Sequence, residues 1–155
     1  MAHKGVNGNT LIVGGSSDMV GAPMLAAEAA VHSGAGKVTL GVPDIIKHVV
    51  QGRIIPEVMV TSIDENEFLY NGRQVVAIGP GLGRTTDIPD VVNQASDSYD
   101  GALVIDADAL YALGHVGSVD KDALRDGHIE SVYKVQKNLP YCVMTPHLGE
   151  FSRLI

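Results

Sequence analysis

A glycine-rich turn directly follows an apolar stretch whose composition indicates a strand. The stretch is residues 74–78, and the turn is Gly79-Pro80-Gly81-Leu82-Gly83. Three glycines in five residues let the backbone approach a ligand closely, and backbone N–H groups at such a junction can bind phosphate or a nucleotide. The spacing matches neither the Gly-x-Gly-x-x-Gly fingerprint nor a Walker loop. A tight turn without a ligand is the alternative, but this much glycine at a strand end favours a binding site.

A second glycine loop, Gly14-Gly15-Ser16-Ser17-Asp18, follows the first apolar stretch and precedes Gly21-Ala22-Pro23. Its hydroxyl groups, together with the start of the helix that follows, can hold an anion. A helix cap without any ligand explains the same residues equally well. This loop therefore indicates a site only in combination with others.

A third strand end carries carboxylates. Asp106 ends the apolar stretch 102–105 and begins the segment Asp106-Ala107-Asp108-Ala109-Leu110. At the edge of a sheet its carboxylate can bind a hydroxyl group or hydrated Mg²⁺. A helix N-cap would show the same pair of carboxylates. We favour a site because this loop should neighbour the glycine turn.

A histidine occupies the last predicted strand end, in Thr145-Pro146-His147-Leu148-Gly149-Glu150. Its neighbours are loop-forming, so the imidazole can contact a ligand or hold a metal-bound water. A lone histidine is more often structural, and that interpretation applies to four others: His32, His48, His115 and His128.

The elements that must position these loops alternate between strand and helix. Apolar stretches predict strands at 9–13, 37–42, 57–61, 74–78, 102–105 and 142–145, and helical patterns cover 19–33, 43–50, 88–95, 122–137 and 149–155. The strands are uniformly apolar, which is typical of a parallel sheet covered on both faces. We predict one α/β domain over 1–155, a mostly parallel sheet in a Rossmann-like three-layer arrangement, with its ligands at the carboxyl ends of the strands.

Composition excludes several classes of function. The chain has 155 residues, 11 Lys and Arg against 18 Asp and Glu, and a formal charge of −7. Without a basic run it lacks the electrostatic footprint of a nucleic-acid binder. No apolar stretch approaches the roughly 20 residues that span a bilayer, and the start lacks the apolar core of a signal peptide. A single cysteine, Cys142, forms no internal disulfide, so a reducing cytoplasm is expected.

Taken together, the segments resemble one family. Its motifs appear in order as His3-Lys4-Gly5 with Gly8, Gly14-Gly15-Ser16, Gly21-Ala22-Pro23, Gly34-Ala35-Gly36, Pro56-Glu57-Val58-Met59, residues 79–83, residues 106–110 and Thr145 to Phe151. The series resembles the ADP- or ATP-dependent NAD(P)H-hydrate dehydratases, repair enzymes with the ribokinase-like fold. The resemblance runs from His3 to the last residue.

The resemblance implies a reaction and roles for residues. These enzymes restore NADH or NADPH from the C6-hydrated form, coupling loss of water to hydrolysis of ADP or ATP through a phosphorylated intermediate that eliminates phosphate. By motif, Ala22, the glycine turn and His147 would line the hydrate pocket, with Asp106 nearby. Glu150 would orient Mg²⁺ and phosphate. Leu148 replaces the proline usual in the family, which leaves the histidine and the glutamate in place.

Two family segments do not appear in the sequence, a Lys-Gly segment that helps bind the nucleotide and a Gly-Thr-Gly-Asp loop. In the family the aspartate of that loop is the base that activates the substrate hydroxyl. We therefore expect an N-terminal, substrate-binding portion that is inactive alone and whose open sheet edge favours a homo-oligomer. The alternatives are a ribokinase-like kinase of hydroxymethylpyrimidine or thiazole type and a non-catalytic nucleotide-binding module.

Overall fold

The computed structural model describes residues 8–64, 69–84, 91, 92, 95, 99–113 and 141–154. This part of the chain contains six strands, β1 (Asn9–Val13), β2 (Lys37–Val42), β3 (Val58–Ser62), β4 (Val75–Ile78), β5 (Ala102–Ile105) and β6 (Tyr141–Met144). It also contains four helices, α1 (Gly21–His32), α2 (Asp44–Gln51), α3 (Ala107–Leu113) and α4 (Leu148–Leu154). The predicted strands are confirmed to within a residue at either end.

All six strands are parallel, in the order β3-β2-β1-β4-β5-β6. The predicted α/β class is therefore confirmed. Strands β2 and β3 lie on one side of β1 in the sheet, and β4, β5 and β6 lie on the other. The direction in which successive strands are added therefore reverses between β1 and β4. Their register pairs Val13 with Ile78, which brings the two strand ends level. Open α/β sheets bind their ligands at this reversal, beyond the carboxyl ends of the strands.

Two apolar cores sandwich the sheet. Alternate residues of β1 face opposite sides, so Leu11 and Val13 join one core and Ile12 joins the other. The first core includes Leu110 of α3, and the second includes Ala27 of α1 and residues of α2. The central strands are buried on both faces, which explains why their sequences are apolar throughout.

Helix α1 shows which local predictions hold and which do not. Gly34 has φ +96°, and the N–H groups of Gly34 and Ala35 donate to the carbonyls of Val31 and Ala30, so a glycine cap ends the helix as predicted. The helical spacing of Leu25, Ala29 and His32 does not mark the buried side, because all three are exposed while Pro23 and Ala27 are buried. A helix this rich in alanine is apolar all round, so periodicity cannot identify its buried face.

Helix α3 is the element that the sequence pattern missed. Residues 106–110 were expected to form a loop, but the helix begins at Ala107, immediately after β5. Of the predicted helix at 88–95 only three residues are described, and these are helical. The predicted helix at 122–137 lies outside the described residues. No helix in the described ranges is long and apolar enough to cross a bilayer.

Candidate functional site

The β1 loop (residues 14–18) and the glycine turn (residues 79–83) meet at the reversal of the sheet. The N–H of Gly15 donates to the carbonyl of Pro80 at 2.9 Å, and the N–H of Gly79 donates to the carbonyl of Val13 at 3.1 Å. A Cβ atom on Gly14 would overlap the carbonyl oxygen of Pro80. Glycine is therefore required at position 14 because two backbones share that space.

The glycine turn also packs against the start of α1. Gly81 has φ +68°, and a Cβ atom there would lie 2.8 Å from the carbonyl oxygen of Met19 and 3.3 Å from the Cβ of Ala22. The structure thus brings together two residues that the motifs assign to one pocket. Ala22 is exposed. The crevice between Ala22 and the glycine turn, where the sheet order reverses, is bounded by the Ala22 methyl group, the Met19 side chain and backbone.

On its other side the glycine turn contacts the strand-to-helix junction between β5 and α3. The N–H of Asp106 donates to the carbonyl of Ile78 at 3.0 Å, and a Cβ on Gly79 (φ +135°) would overlap the carbonyl oxygen of Asp106. The Asp108 carboxylate accepts the N–H of Gly83 at 2.9 Å through Oδ2. Asp106 thus lies beside the turn as predicted. Asp108, which the sequence pattern also allowed as a simple helix cap, holds the end of the turn.

Ala107, between these two carboxylates, has φ +49°. A left-handed conformation costs an L-residue about 1–2 kcal/mol, and such strain is concentrated at functional sites. The conformation lets β5 pass into α3 without a connecting loop. The Asp106 carboxylate then stands at the sheet edge, where Oδ1 accepts the N–H of Ala107 at 2.8 Å and Oδ2 has no hydrogen-bond partner among the described residues.

Ser16 adds an unpaired polar group between the two glycine loops. Its hydroxyl oxygen is shielded from solvent and has no hydrogen-bond partner in the described part of the chain. A Cβ atom on Gly83 would lie 3.6 Å from the Ser16 side chain. An unpaired buried hydroxyl costs about 1–3 kcal/mol, so a ligand group that reached Ser16 would recover that free energy.

His147 and Glu150 form a local pair at the start of α4. The backbone N–H of His147 donates to Glu150 Oε2 at 3.0 Å, and the N–H of Gly149 donates to His147 Nδ1 at 3.0 Å. These two bonds make a capping box with histidine as the cap. No hydrogen bond joins either side chain to the glycine turn among the residues described. The connection is indirect, because the Thr145 N–H donates to the carbonyl of Ile105, next to Asp106.

The carboxylates of the site suit Mg²⁺ that is also held by substrate phosphate. Within the described ranges no three His, Cys, Asp or Glu side chains converge to form a metal cage. Mg²⁺ is commonly held by one or two carboxylates together with substrate phosphates and water. Asp106 fits that requirement through its unpaired oxygen, whereas both Glu150 oxygens already contact His147.

A depression of about 500 Å³ lies at the opposite edge of the sheet from the glycine turn. Its lining comes from the amino ends of four neighbouring strands: Gly8, Asn9, Gly36, Lys37, Glu57, Met59, Gly72 and Gln74. There Arg73 donates to Asn9 Oδ1 and Thr39 Oγ1, both at 2.8 Å, and burial lowers the pKa of its guanidinium. These contacts tie β1 to β2. Because ligands of open α/β sheets bind at the carboxyl edge, the glycine turn is the better candidate for the functional site.

Comparisons with known proteins point to one family. Residues 10–155 match the family model described as NAD(P)H-hydrate dehydratase. The bifunctional NAD(P)H-hydrate repair enzyme Nnr of Dictyoglomus turgidum is 35% identical over 99% of this chain, and that of Vibrio cholerae is 40% identical over 99%. The chain spans 29% and 27% of the length of these two curated relatives.

A solved structure shows the same fold. The ADP/ATP-dependent NAD(P)H-hydrate dehydratase of Bacillus subtilis, co-crystallised with ATP and Mg²⁺, superposes with a TM-score of 0.72 and 27% sequence identity. The match covers 99% of this chain and 49% of that one. The family model, the curated relatives and the fold therefore agree.

Proposed function

This chain belongs to the NAD(P)H-hydrate dehydratase family, and on that premise we propose that it acts in the ADP- or ATP-dependent dehydration of hydrated NADH or NADPH. In this reaction the nicotinamide ring loses the water added at C6, through a phosphorylated intermediate that eliminates phosphate. We assign binding of the hydrated dinucleotide to these 155 residues, taken as a single α/β domain that is the N-terminal portion of a ribokinase-like dehydratase domain.

The packing of the glycine turn against the start of α1 carries this proposal. Gly81 and Ala22 lie side by side where the sheet order reverses, which is the preferred position for nucleotides in open parallel sheets. A side chain larger than the Ala22 methyl group would enter the crevice, and at Gly81 even a Cβ atom would press on the carbonyl of Met19. A hydrated nicotinamide ring is small enough to lie against such a surface of backbone and methyl groups.

The ionisable residues take supporting roles in the proposal. Asp106 can accept a hydrogen bond from a substrate hydroxyl through its unpaired oxygen. The His147 side chain, 69% exposed, can contact the dinucleotide from the β6 side. Glu150 is assigned to water-mediated orientation of Mg²⁺ and phosphate, using lone pairs beyond those that accept from His147. When bound, Mg²⁺ would neutralise phosphate charge.

As part of the proposal, these 155 residues bind the substrate but do not supply the catalytic base. The 155-residue sequence contains no Gly-Thr-Gly-Asp segment, which in the family contributes the aspartate that activates the substrate hydroxyl. We therefore expect the chain to bind the hydrated dinucleotide without dehydrating it. Return of the dihydronicotinamide absorbance when the chain is mixed with hydrated NADH and ADP or ATP would show this expectation to be wrong.

Calorimetric titration with hydrated NADPH tests the binding site, with ADP titrated in parallel. Ala22→Leu should weaken binding of hydrated NADPH about tenfold, because the larger side chain enters the crevice. Ala29→Leu places the same change at another exposed position of this helix, about two turns further from the glycine turn, and should leave the affinity unaltered. Absence of any dinucleotide binding by the unmodified chain would contradict the proposal. Binding of ADP alone would favour the nucleotide-binding module.

The proposal also includes self-association in the cytoplasm. β6 is the last strand of the sheet, and its Tyr141 and Val143 side chains are 73% and 54% exposed. Parallel sheets bury both faces, so this apolar face favours contact with a second copy of the chain. The single cysteine, Cys142, supports a reducing compartment because it has no partner for an internal disulfide.

A further inference from the structure

Arg84 directly follows the glycine turn and rests on an aromatic ring. Its guanidinium carbon lies 4.3 Å from the centroid of the Tyr111 ring, within the range of a cation–π interaction. Arg84 itself is exposed. The ring therefore supports one side of the guanidinium while its N–H groups remain accessible to a ligand.

Helix α3 contacts both the last residue of the glycine turn, Gly83, and the arginine that follows it. Asp108 and Tyr111 are three residues apart on α3, so they lie on the same side of the helix. Asp108 accepts the N–H of Gly83, and Tyr111 contacts the next residue, Arg84. Two contacts from one helix face therefore orient the arginine relative to the turn.

Arg84 also stands out by charge. The chain carries a formal charge of −7, and the carboxyl-bearing residues Asp106 and Asp108 lie beside the glycine turn. Among the residues that the structure describes, Arg84 is the only lysine or arginine within a residue of a glycine loop at the carboxyl edge. A phosphorylated ligand entering this crevice would meet repulsion from the carboxylates unless a cation such as Arg84 offset it.

We propose that Arg84 binds a phosphate of the nucleotide substrate and that Tyr111 is its positioning residue. The inference rests on the proposed function, since the phosphates are those of hydrated NADH or NADPH. A planar guanidinium can donate two parallel hydrogen bonds to one phosphate. Because the ring of Tyr111 already restrains the Arg84 side chain, that side chain loses less conformational entropy when the phosphate binds. Arg84 would thus anchor the dinucleotide while the glycine turn contacts its ring.

Arg84 has two possible targets in the substrate, the pyrophosphate and the 2′-phosphate. The pyrophosphate is common to hydrated NADH and hydrated NADPH, whereas the 2′-phosphate occurs only in NADPH. Titrating both ligands separates these sources. Loss of affinity for both after substitution of Arg84 assigns the pyrophosphate, and loss for hydrated NADPH alone assigns the 2′-phosphate.

The experiment compares five variants by calorimetry, after thermal melts show that each is folded. Arg84→Gln should weaken binding about tenfold, the value of a charge-assisted hydrogen bond. Arg84→Lys should lose less affinity than Arg84→Gln, because the positive charge remains. Tyr111→Leu should weaken binding with Arg84 still present, whereas Tyr111→Phe keeps the ring and should bind as the unmodified chain does. Arg53→Gln is the control, an exposed arginine between α2 and β3.

The outcomes separate this inference from the proposed function. If the unmodified chain binds neither hydrated dinucleotide, the proposed function fails and the inference fails with it. If it binds and Arg84→Gln binds equally well, or Arg53→Gln loses as much, only the assignment of Arg84 is overturned. Unchanged binding by Tyr111→Leu would overturn the positioning role of the ring.

Discussion

Glu150 accepts the backbone N–H of His147 at 3.0 Å, and its other carboxylate oxygen lies 3.3 Å from Nε2 of the same histidine. The carboxylate is largely buried, with 15% of the side chain exposed. The two residues that the motif marks as functional are therefore also the structural start of α4. A substitution there affects folding as well as ligand binding, so the two effects must be measured separately.

Two variants of Glu150 should separate its effect on stability from its effect on ligand binding. Glu150→Ala removes the reciprocal bond of the capping box and should lower the free energy of unfolding by about 1 kcal/mol. Glu150→Gln keeps an acceptor for the His147 N–H and should retain most of that stability. If Glu150 orients Mg²⁺, the glutamine variant should lose the increase in affinity for hydrated NADPH that Mg²⁺ gives. Denaturant melts and calorimetry with and without Mg²⁺ measure both, and an unchanged Mg²⁺ effect in Glu150→Gln would contradict the metal role.

Gly79→Ala should severely destabilise the protein. The added Cβ would overlap the carbonyl of Asp106, and the residue would be held at φ +135°. Overpacking and backbone strain together predict a loss of about 3 kcal/mol or more in the free energy of unfolding. Gly72→Ala is the matched control, since its φ is +68° but its Cβ would meet no atom within 4 Å. It should cost about 1 kcal/mol, and equal losses for the two variants would refute steric contact with Asp106.

Ala107→Gly should stabilise the protein, which is unusual for a glycine in a helix. Ala107 has φ +49°, a conformation that glycine adopts without strain. Relief of the strain should outweigh the added entropy of the unfolded chain and raise the free energy of unfolding by about 0.5 kcal/mol. Ala112→Gly, in the same helix but without a positive φ, should instead lower it by about 1 kcal/mol. Chemical denaturation of both variants decides, and destabilisation by both would show that Ala107 is not strained.

Val143→Asp should abolish self-association if β6 forms the contact. Val143 is 54% exposed on the last strand of the sheet, and a carboxylate there would be desolvated in an apolar interface. Ile45→Asp introduces the same charge at a residue of α2 that is 81% exposed, and it should not alter the mass. Light scattering over a range of concentrations provides the measurement. A monomer in the unmodified chain would remove the basis for this prediction.

The free energy of unfolding should fall between pH 10 and pH 12. Burial raises the pKa of Tyr70 from 10.0 to about 12, so the unfolded chain releases this proton first as the pH rises. The stability due to neutral Tyr70 is complete below pH 10 and is lost progressively toward pH 12, on the order of 2 kcal/mol. Tyr70→Phe should reduce the slope, and an unchanged slope would argue against Tyr70 as the source. Burial, then Asp100, raises the pKa of Tyr99 to about 12, so part of the slope should persist.

Several features could be predicted because they depend on short stretches of sequence. Runs of four to six residues rich in Val, Ile and Leu and bounded by glycine or polar residues favour strands, and strands that are apolar throughout favour a parallel sheet, so both could be predicted. Helix α3 could not be predicted in this way. Its seven residues are too short for periodicity to be clear, and its start directly after β5 depends on the positive φ of Ala107. The buried side of α1 could not be predicted either, because alanine occurs on every side of that helix.

The sequence by itself determined the strands, the apolar cores on both sides of the sheet, and the strand ends that carry glycine, carboxylate or imidazole. These follow from residue type and order. Only the tertiary structure decided which strand ends become neighbours, because strand order depends on packing between segments distant in the chain. It placed the glycine turn between Ala22 and Asp106. It also brought the Asp108 carboxylate to the N–H of Gly83 and the Arg84 guanidinium to the ring of Tyr111. The physical reason is that hydrogen bonds and steric contacts between loops arise only once the sheet brings them together.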